Sequence, residues 1–370
     1  MRGTVRLFRL FGINVYLHWS FIFLILFLMY STYSEHENVR SFFILLALVL
    51  IIFACVIMHE YGHALAARRY GISTHDITIL PIGGVARLTH IPKNPVQELF
   101  VVFAGPAVNL AIFIVLSLVA VLAFHYEPSI EDLFIGQDDF GMSKWGKLVL
   151  TIANMNLFLM LFNLIPAFPM DGGRIFRALM CFAMPRPRAT FIASIVGRAF
   201  AIAIFGFAFY NPWHPEEPYK PMLALLAVAV FVSARNEYKQ VRSESRYDEG
   251  TVKEIMKAHF LSLQTSMLMG DALLQTQKAT NPIFLVFDQE NALYGFLETD
   301  DLNDARKNSD HLAIVLTYTN TNYVTADVDE TLKAVSKKMN QASTKIGIVK
   351  NQNQILGTVY FDDILTYINA

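Results

Sequence analysis

The chain has 370 residues, of which 54% are hydrophobic and only 16% are charged, and its mean hydropathy is +0.40. These values exclude an ordinary soluble domain and predict a chain that lies largely in a membrane. The net charge of −1 gives no general basis for nucleic-acid binding, and the two cysteines, both in apolar surroundings, argue against a cysteine-rich metal site.

Six apolar segments follow one another along the first two thirds of the chain, and each is close to the length that crosses about 30 Å of hydrocarbon. They cover about residues 15–29, 42–67, 99–124, 148–164 (resuming at 175–184), 191–210 and 221–233. The sequence therefore predicts a membrane α-helical fold with six transmembrane helices.

Basic residues are concentrated in the loops on one side of these segments. That side holds Arg2, Arg6, Arg9, Arg68, Arg69, Arg87, Lys93, Arg174, Arg177, Arg186, Arg188, Arg235, Lys239, Arg242 and Arg246. The opposite loops hold Arg40, Lys144, Lys147 and Lys220. By the positive-inside rule we expect a multi-pass protein of the cell membrane whose N-terminus and C-terminal tail are both cytoplasmic.

Residues 59–63 of the second segment read His-Glu-Tyr-Gly-His. On a helix, His59 and His63 share one face and can reach one metal ion, while Glu60 is offset by one position and stays free to act on water. This is the pattern of a zinc hydrolase. The alternative is a helix that uses two histidines for packing, but ionisable groups at bilayer depth are costly and are kept mainly for function.

Between the second and third segments, residues 76–80 and 85–88 predict two short strands around a Pro-Ile-Gly-Gly turn. Gly83 and Gly84 leave a backbone edge open, and such an edge can accept an extended substrate segment. A plain surface hairpin is an equally good interpretation of the same residues.

A zinc site needs a third protein ligand, and Asp171 is the candidate among the carboxylates inside the apolar segments. Pro166 and Pro169 interrupt the fourth segment just before it, and irregular backbone at that depth is tolerated only where protein or a wet cavity satisfies it. Gly172 and Gly173 allow the bend that would return the carboxylate to the metal. The alternative is an ordinary loop with a turn aspartate.

Two asparagines are further candidates. Asn163 lies one helical turn before the break and is equally compatible with stabilising an oxyanion and with capping the broken backbone. Asn109, in the third segment, is assigned first to packing between helices and, as the alternative, to contact with the substrate.

Three separated motifs together resemble the site-2 protease family of intramembrane zinc metalloproteases. The motifs are His59-Glu60-x-x-His63, Gly105-Pro106 with Asn109, and Asn163-x-x-Pro166 leading to Asp171-Gly172-Gly173. The resemblance covers about residues 1–235. It implies that His59, His63 and Asp171 hold one zinc ion, that Glu60 is the catalytic base, and that Gly83-Gly84 belongs to a membrane-associated hairpin.

A charged linker at 236–250 leads to a tail, residues 251–370, in which the segment 293–302 is repeated at 355–364. The repeat resembles a tandem pair of α/β cystathionine-β-synthase-type (CBS) modules, as found on the sporulation-protease branch of the family. That resemblance implies adenine nucleotide binding through Asp301 and Asp363. Glu298 and Tyr360 stand where such sites carry a hydroxyl residue, so a homodimerising or purely structural tail is at least as good an interpretation.

These features predict a zinc endopeptidase that cleaves a single-span, membrane-anchored protein within or near its transmembrane helix, in regulated intramembrane proteolysis. Its other partner would be membrane lipid, with no nucleic acid. The alternative function is a CBS-regulated ion transporter whose His and Asp residues form a metal site.

Overall fold

A computed structural model describes residues 3–34, 38–81, 83–126, 143–210, 220–277, 279, 282–352 and 354–370. The chain divides into two compact units, residues 1–238 and 239–370. Arg2 and Ile82, both named in predictions from the sequence, lie outside the described part.

The first unit is mainly helical. Its helices are α1 (Phe21–Ser34), α2 (Val39–Arg68), α3 (Pro95–Phe124), α4 (Lys144–Asn163), α5 (Asp171–Met180), α6 (Arg186–Phe209) and the first part of α7 (Pro221–Glu249), a helix that runs past residue 238. Among the described residues, α2, α3, α4 and α6 are the helices long and apolar enough to cross a membrane, while α1 is apolar but shorter. Large apolar side chains such as Leu122, 70% exposed, and Ile202, 63% exposed, point outward, as a lipid-facing surface requires.

Helix α3 is the centre of this unit and packs against α2, α4 and α5. Its start is specified locally, because Asn94 Oδ1 accepts a hydrogen bond from the Val96 N–H at 2.9 Å and Pro95 occupies the first turn. Helices α4 and α5 are separate elements because the residues between them include Pro166 and Pro169, which have no N–H to continue a helix.

A four-stranded sheet lies beside the helices, with the order β1 (Thr4–Leu10), β2 (Ile13–His18), β3 (Thr74–Leu80) and β4 (Gly83–Leu88). Strands β1 and β2 are antiparallel, β2 and β3 are parallel, and β3 and β4 form an antiparallel hairpin. Ile13, Val15 and Ile77 form a buried cluster with Tyr61 of α2. The sheet is thereby fixed to the helix that carries the histidine motif.

The structure corrects three sequence-based expectations. The predicted hairpin is half of a larger sheet, because residues 4–18 add two strands to it. The first apolar segment, predicted from residue 15, begins with strand β2, and its helix starts only at Phe21. Residues 236–249, expected to form a linker, are helical and continue α7.

The second unit contains two three-stranded sheets with the same succession of elements. One repeat comprises β5 (Leu261–Gln264), α8 (Met269–Thr276), β6 (Ile283–Phe287), β7 (Leu293–Glu298) and α9 (Thr299–Lys307). The other comprises β8 (Val324–Asp327), α10 (Leu332–Gln341), β9 (Ile346–Asn351), β10 (Gln354–Tyr360) and α11 (Phe361–Asn369). In each repeat the first two strands are parallel and the last two antiparallel. Ile283 and Leu285 share a buried cluster with Ile346 and Ile348, which joins the two repeats into one body.

Candidate active site

Three side chains from two helices converge on one point. His59 and His63 lie one turn apart on α2, and their Nε2 atoms are 3.1 Å apart. Asp171 is the first residue of α5, and its Oδ2 lies 3.1 Å from the Nε2 atom of each histidine. His59 and Asp171 are buried and His63 is half-buried. The structure therefore brings together all three of the predicted ligands.

This donor set fits zinc. Two ligand atoms on a tetrahedral zinc ion, with bonds of about 2.0–2.1 Å, lie about 3.3 Å apart, close to the separations of 3.1 Å among these donors. Two imidazoles and one carboxylate leave a fourth position open, which is the arrangement of catalytic rather than structural zinc sites. Gly105 supplies the room, because a Cβ there would lie 2.2 Å from His63 Nε2 and 2.8 Å from His59 Cε1.

The glycine pair after Asp171 acts through close packing. A Cβ on Gly172 would lie 2.3 Å from the carbonyl oxygen of Ile165, and one on Gly173 would lie 2.6 Å from the amide nitrogen of Phe168. Both glycines are helical residues of α5, so the bend predicted to depend on glycine flexibility depends instead on the absence of side chains. The first turn of α5 can therefore lie directly on the loop before it.

Backbone contacts fix the orientation of one imidazole. His63 Nδ1 lies 2.9 Å from the carbonyl oxygen of Val101 on α3. Because a carbonyl oxygen only accepts, Nδ1 carries the hydrogen and the lone pair on Nε2 is directed at the cluster. This is the form that a metal ligand requires.

Glu60 does not join the three donors. Its Oε2 accepts a hydrogen bond from the Ala86 N–H of β4 at 3.0 Å. Gly84, also on β4, permits this approach, because a Cβ there would lie 2.8 Å from Glu60 Cγ. Gly83 begins the strand with φ of +141°, a conformation that favours glycine. Gly84, one of the two glycines predicted to leave a strand edge open, thus adjoins the side chain of Glu60, which follows His59 in the motif.

Comparisons with known proteins agree with this geometry. The profile of peptidase family M50 matches residues 47–205, and that of the CBS domain matches residues 315–370. A zinc metalloprotease of Methanocaldococcus jannaschii is 34% identical over 258 residues, which are 69% of this chain and 67% of the relative. The chain belongs to peptidase family M50, the site-2 proteases.

Two further known proteins, both described as proteases, are similar to this chain. A Synechocystis protein whose name describes a zinc metalloprotease is 30% identical over 314 residues, 82% of this chain and 78% of the relative. The solved structure of a site-2 protease from Methanocaldococcus jannaschii is 32% identical, covers 64% of this chain and 95% of that one, and gives a TM-score of 0.45. The predicted family and the prediction of a zinc metalloprotease with a CBS domain are confirmed, and the transporter alternative is set aside.

One face of α3, called here the α3 stripe, contacts both histidines of this metalloprotease site. Glu98, Val101, Gly105 and Asn109 recur at intervals of three or four residues and therefore share a face of the helix. Val101 and Gly105 adjoin the His63 ring, and Asn109 Nδ2 lies 3.2 Å from His59 Nδ1. The structure thus places Asn109 against a histidine of the cluster.

Glu98, at the other end of this stripe, holds α5. Its Oε1 accepts a hydrogen bond from Arg177 Nε at 3.0 Å, and Arg177 Nη1 donates to Glu237 Oε1 of α7 at 2.8 Å. The Arg177 guanidinium also lies over the Phe168 ring, 5.3 Å from its centre, just before Asp171. Arg177 is 0% exposed, so counting it among the basic loop residues was wrong. The sequence did offer one indication of this buried ion pair, namely a basic residue only six positions after the predicted metal ligand Asp171.

The structure gives less support to the other predicted residues. Asn163 is the last residue of α4 and is half-buried, and its role stays a prediction. In the tail, Asp301 Oδ2 accepts the N–H of Glu298 at 2.7 Å and so caps its own helix. Asp363 forms an ion pair with Lys257, with Nζ 2.9 Å from Oδ2. Tyr360 O–H donates to Glu298 Oε1 at 3.3 Å, so the two residues that replace the expected hydroxyls bond to each other.

Proposed function

We propose that this site-2 protease is an intramembrane endopeptidase that hydrolyses a peptide bond of a single-span, membrane-anchored protein, within or near its transmembrane helix. The observation that carries the proposal is the cluster of His59, His63 and Asp171 on two apolar-flanked helices, with Glu60 outside it and bonded to the edge strand β4. These three residues would hold zinc, which supplies polarisation of a carbonyl group and activation of water.

Glu60 is the base in this proposal. Its carboxylate accepts a proton from the attacking water and returns it to the leaving amine, so one side chain serves both halves of the hydrolysis. The position next to the metal ligand His59 on α2 and the contact with the β4 backbone both favour this role, because they keep the carboxylate near the donors without making it one of them.

Strand β4 is the proposed docking edge for the substrate. It is the last strand of its sheet, and β3 is its strand neighbour among the described residues. A helical substrate hides its amides in its own hydrogen bonds, so it must unwind before cleavage, and pairing along β4 would hold it extended. Gly83 and Gly84 add no side chain of their own to this edge, and at Gly84 the adjoining space holds the Glu60 side chain.

Asn163 is proposed to donate a hydrogen bond to the oxyanion that forms at the scissile carbonyl. Its place at the end of α4, just before the loop that leads to Asp171, supports this role. Loss of one such donor typically lowers kcat by about 10²–10³. Asn163→Leu should therefore retain zinc and lose kcat, whereas loss of zinc would assign Asn163 to the structure of the broken helix.

The decisive experiment compares wild type, Glu60→Gln and Asp171→Ala in lipid vesicles that contain a tagged single-span substrate. Wild type should hold one zinc ion and release a shortened fragment. Glu60→Gln should keep the zinc and cleave at least about 10²-fold more slowly, and Asp171→Ala should lose the zinc. Cleavage by Glu60→Gln at the wild-type rate would remove Glu60 from the mechanism. Glu330→Gln, in the tail, is the matched control and should cleave normally.

For the membrane arrangement we propose six crossings with both termini cytoplasmic. The bias of basic residues to one side remains after Arg177 is removed from the count. A cysteine introduced at Lys144 should then react with a membrane-impermeant reagent applied to whole cells, and one introduced at Arg69 should not. The reverse labelling pattern would invert the orientation.

For the CBS tail we propose dimerisation rather than nucleotide binding through its two aspartates. Asp301 and Asp363 are already engaged within the tail, by the α9 cap and by Lys257. Glu298 adds negative charge where a nucleotide phosphate would need neutral or basic groups. Equilibrium dialysis of the full chain with ATP and AMP should show no saturable binding, and sedimentation should show a dimer. Saturable binding that Asp301→Asn abolishes would reverse this assignment.

A further inference from the structure

The contact between Asn109 and His59 carries an inference about how the metal site is prepared. Asn109 is 1% exposed, and its Nδ2 lies 3.2 Å from His59 Nδ1. Its Oδ1 is buried and has no hydrogen-bond partner among the described residues. A side-chain amide placed in this way against a member of the cluster has one atom bonded to the imidazole and one atom unused.

The direction of this hydrogen bond determines what His59 can do. If Nδ2 donates to Nδ1, the imidazole must carry its hydrogen on Nε2, the atom that faces His63 and Asp171. That form cannot bind a metal through Nε2. If the amide is turned by half a rotation, Oδ1 accepts a hydrogen from Nδ1 and the lone pair on Nε2 is directed at the cluster.

We propose that Asn109 is a positioning residue whose Oδ1 accepts the Nδ1–H of His59 and so holds that imidazole in its metal-binding form. The inference rests on the proposed ligation of zinc by His59. It assigns to Asn109 the same task that the Val101 carbonyl performs for His63, where the contact is 2.9 Å. In either orientation of the Asn109 amide, one of its two polar atoms faces His59 and the other has no hydrogen-bond partner among the described residues. Other hydrogen bonds therefore do not select the orientation, and metal binding by His59 does.

Both acceptors belong to the stripe of α3 defined above, and they lie two turns apart on it. Residues 101 and 109 differ by eight and residues 59 and 63 by four, so α3 supplies one acceptor to each imidazole from a single face. Gly105, halfway between them, leaves space for both rings. Acceptors of this kind fix the ring and the tautomer of a metal-bound histidine, and their loss typically costs about 10–100-fold in metal affinity.

The test compares Asn109→Asp and Asn109→Leu in the full-length protein, with zinc affinity measured by competition with a chelator. Asp keeps an oxygen acceptor at the same distance, and Leu keeps the volume without an acceptor. We expect Asn109→Asp to bind zinc at least as tightly as wild type and Asn109→Leu to bind about 10–100-fold more weakly. The metal-free forms of wild type and Asn109→Leu should unfold at similar temperatures.

Asn156→Leu is the matched control. Asn156 is also 1% exposed, and its Nδ2 contacts α2 at Cys55 Sγ, 3.3 Å away and one turn before His59. Its hydrogen bonds within the described residues go to Cys55 and to the carbonyl oxygen of Ile152 rather than to an imidazole, so its replacement should leave zinc affinity unchanged.

The outcomes separate this inference from the proposed function. If Asn109 only packs between helices, Asn109→Leu will bind zinc like wild type and Asn109→Asp, with a buried charge, will be the weaker variant, which overturns the inference alone. If wild type itself binds no zinc, both the inference and the proposed function are overturned.

Discussion

Replacing Gly105 by alanine should separate metal binding from folding. The new Cβ would lie 2.2 Å from His63 Nε2 and 2.4 Å from His63 Cε1, whereas a relaxed contact needs close to 3.5 Å. The His63 ring must therefore retreat by about 1.3 Å. Zinc–ligand distances tolerate only about 0.2 Å, so the displaced ring cannot stay in the donor set.

The cost to the fold should be small by comparison. The atoms that meet the new methyl group are the ends of two side chains rather than backbone, and overpacking of this kind typically costs about 1–3 kcal/mol. We expect Gly105→Ala to remain folded in detergent, to lose stoichiometric zinc in metal analysis, and to lose cleavage with it.

Gly206→Ala provides the control within the same unit. Gly206 is a helical residue of α6, and within the part of the chain that the structure describes no atom beyond its own helix turn lies within 4 Å of the position its Cβ would take. This variant should keep its zinc and its activity. A Gly105→Ala protein that competes for zinc as well as wild type would refute the assignment of the cluster as the metal site.

Three further variants test other parts of the chain. Gly84→Ala should keep zinc but cleave about 10²-fold more slowly, because the new Cβ lies 2.8 Å from Glu60 Cγ and moves the carboxylate; an unchanged single-turnover rate would contradict this. Arg177→Met should lower stability by about 3–5 kcal/mol in thermal unfolding, because it removes the close partner of buried Glu98 and leaves that carboxylate only the longer contact with Arg186 at 3.5 Å. Adding Glu98→Gln should recover most of the loss. Burial and neighbouring carboxylates raise the pKa of Glu298 above its ordinary value, so the tail should lose up to about 1 kcal/mol as pH rises from about 4 through that raised pKa. Glu298→Gln should abolish this dependence in hydrogen exchange of β6 and β7.

The histidine motif and the repeat of the tail were predictable because both depend on local spacing. Four residues between His59 and His63 place them on one helical face whatever surrounds the helix. Asp171 could be singled out because a helix broken by two prolines at bilayer depth has few explanations other than a functional one. Proximity of the three side chains, however, depends on the packing of α5 against α3, which no local pattern specifies.

Strand β2 was not predicted because apolar sequence surrounds it. Ile13 and Val15 alternate with less buried residues as a strand requires, but the apolar helix that follows directly obscures this two-residue periodicity.

Contacts between helices were also beyond the sequence. Arg177 was misassigned because a count of charges cannot detect the two carboxylates that surround it. Gly105 and Asn109 were recognised as a motif, yet their contacts with the imidazoles appear only when α2 and α3 are placed side by side.

The hydrogen bond between the Ala86 amide and Glu60 limits how a substrate strand can pair with the edge strand β4. An amide has one hydrogen to give, and here Glu60 already takes it. A substrate that paired with the Ala86 amide would have to displace the Glu60 carboxylate, which would then be free to turn toward the scissile bond. A substrate that left the hydrogen bond between Ala86 and Glu60 intact would have to pair with β4 at other residues. In both cases a single backbone hydrogen restricts which register an incoming chain can adopt.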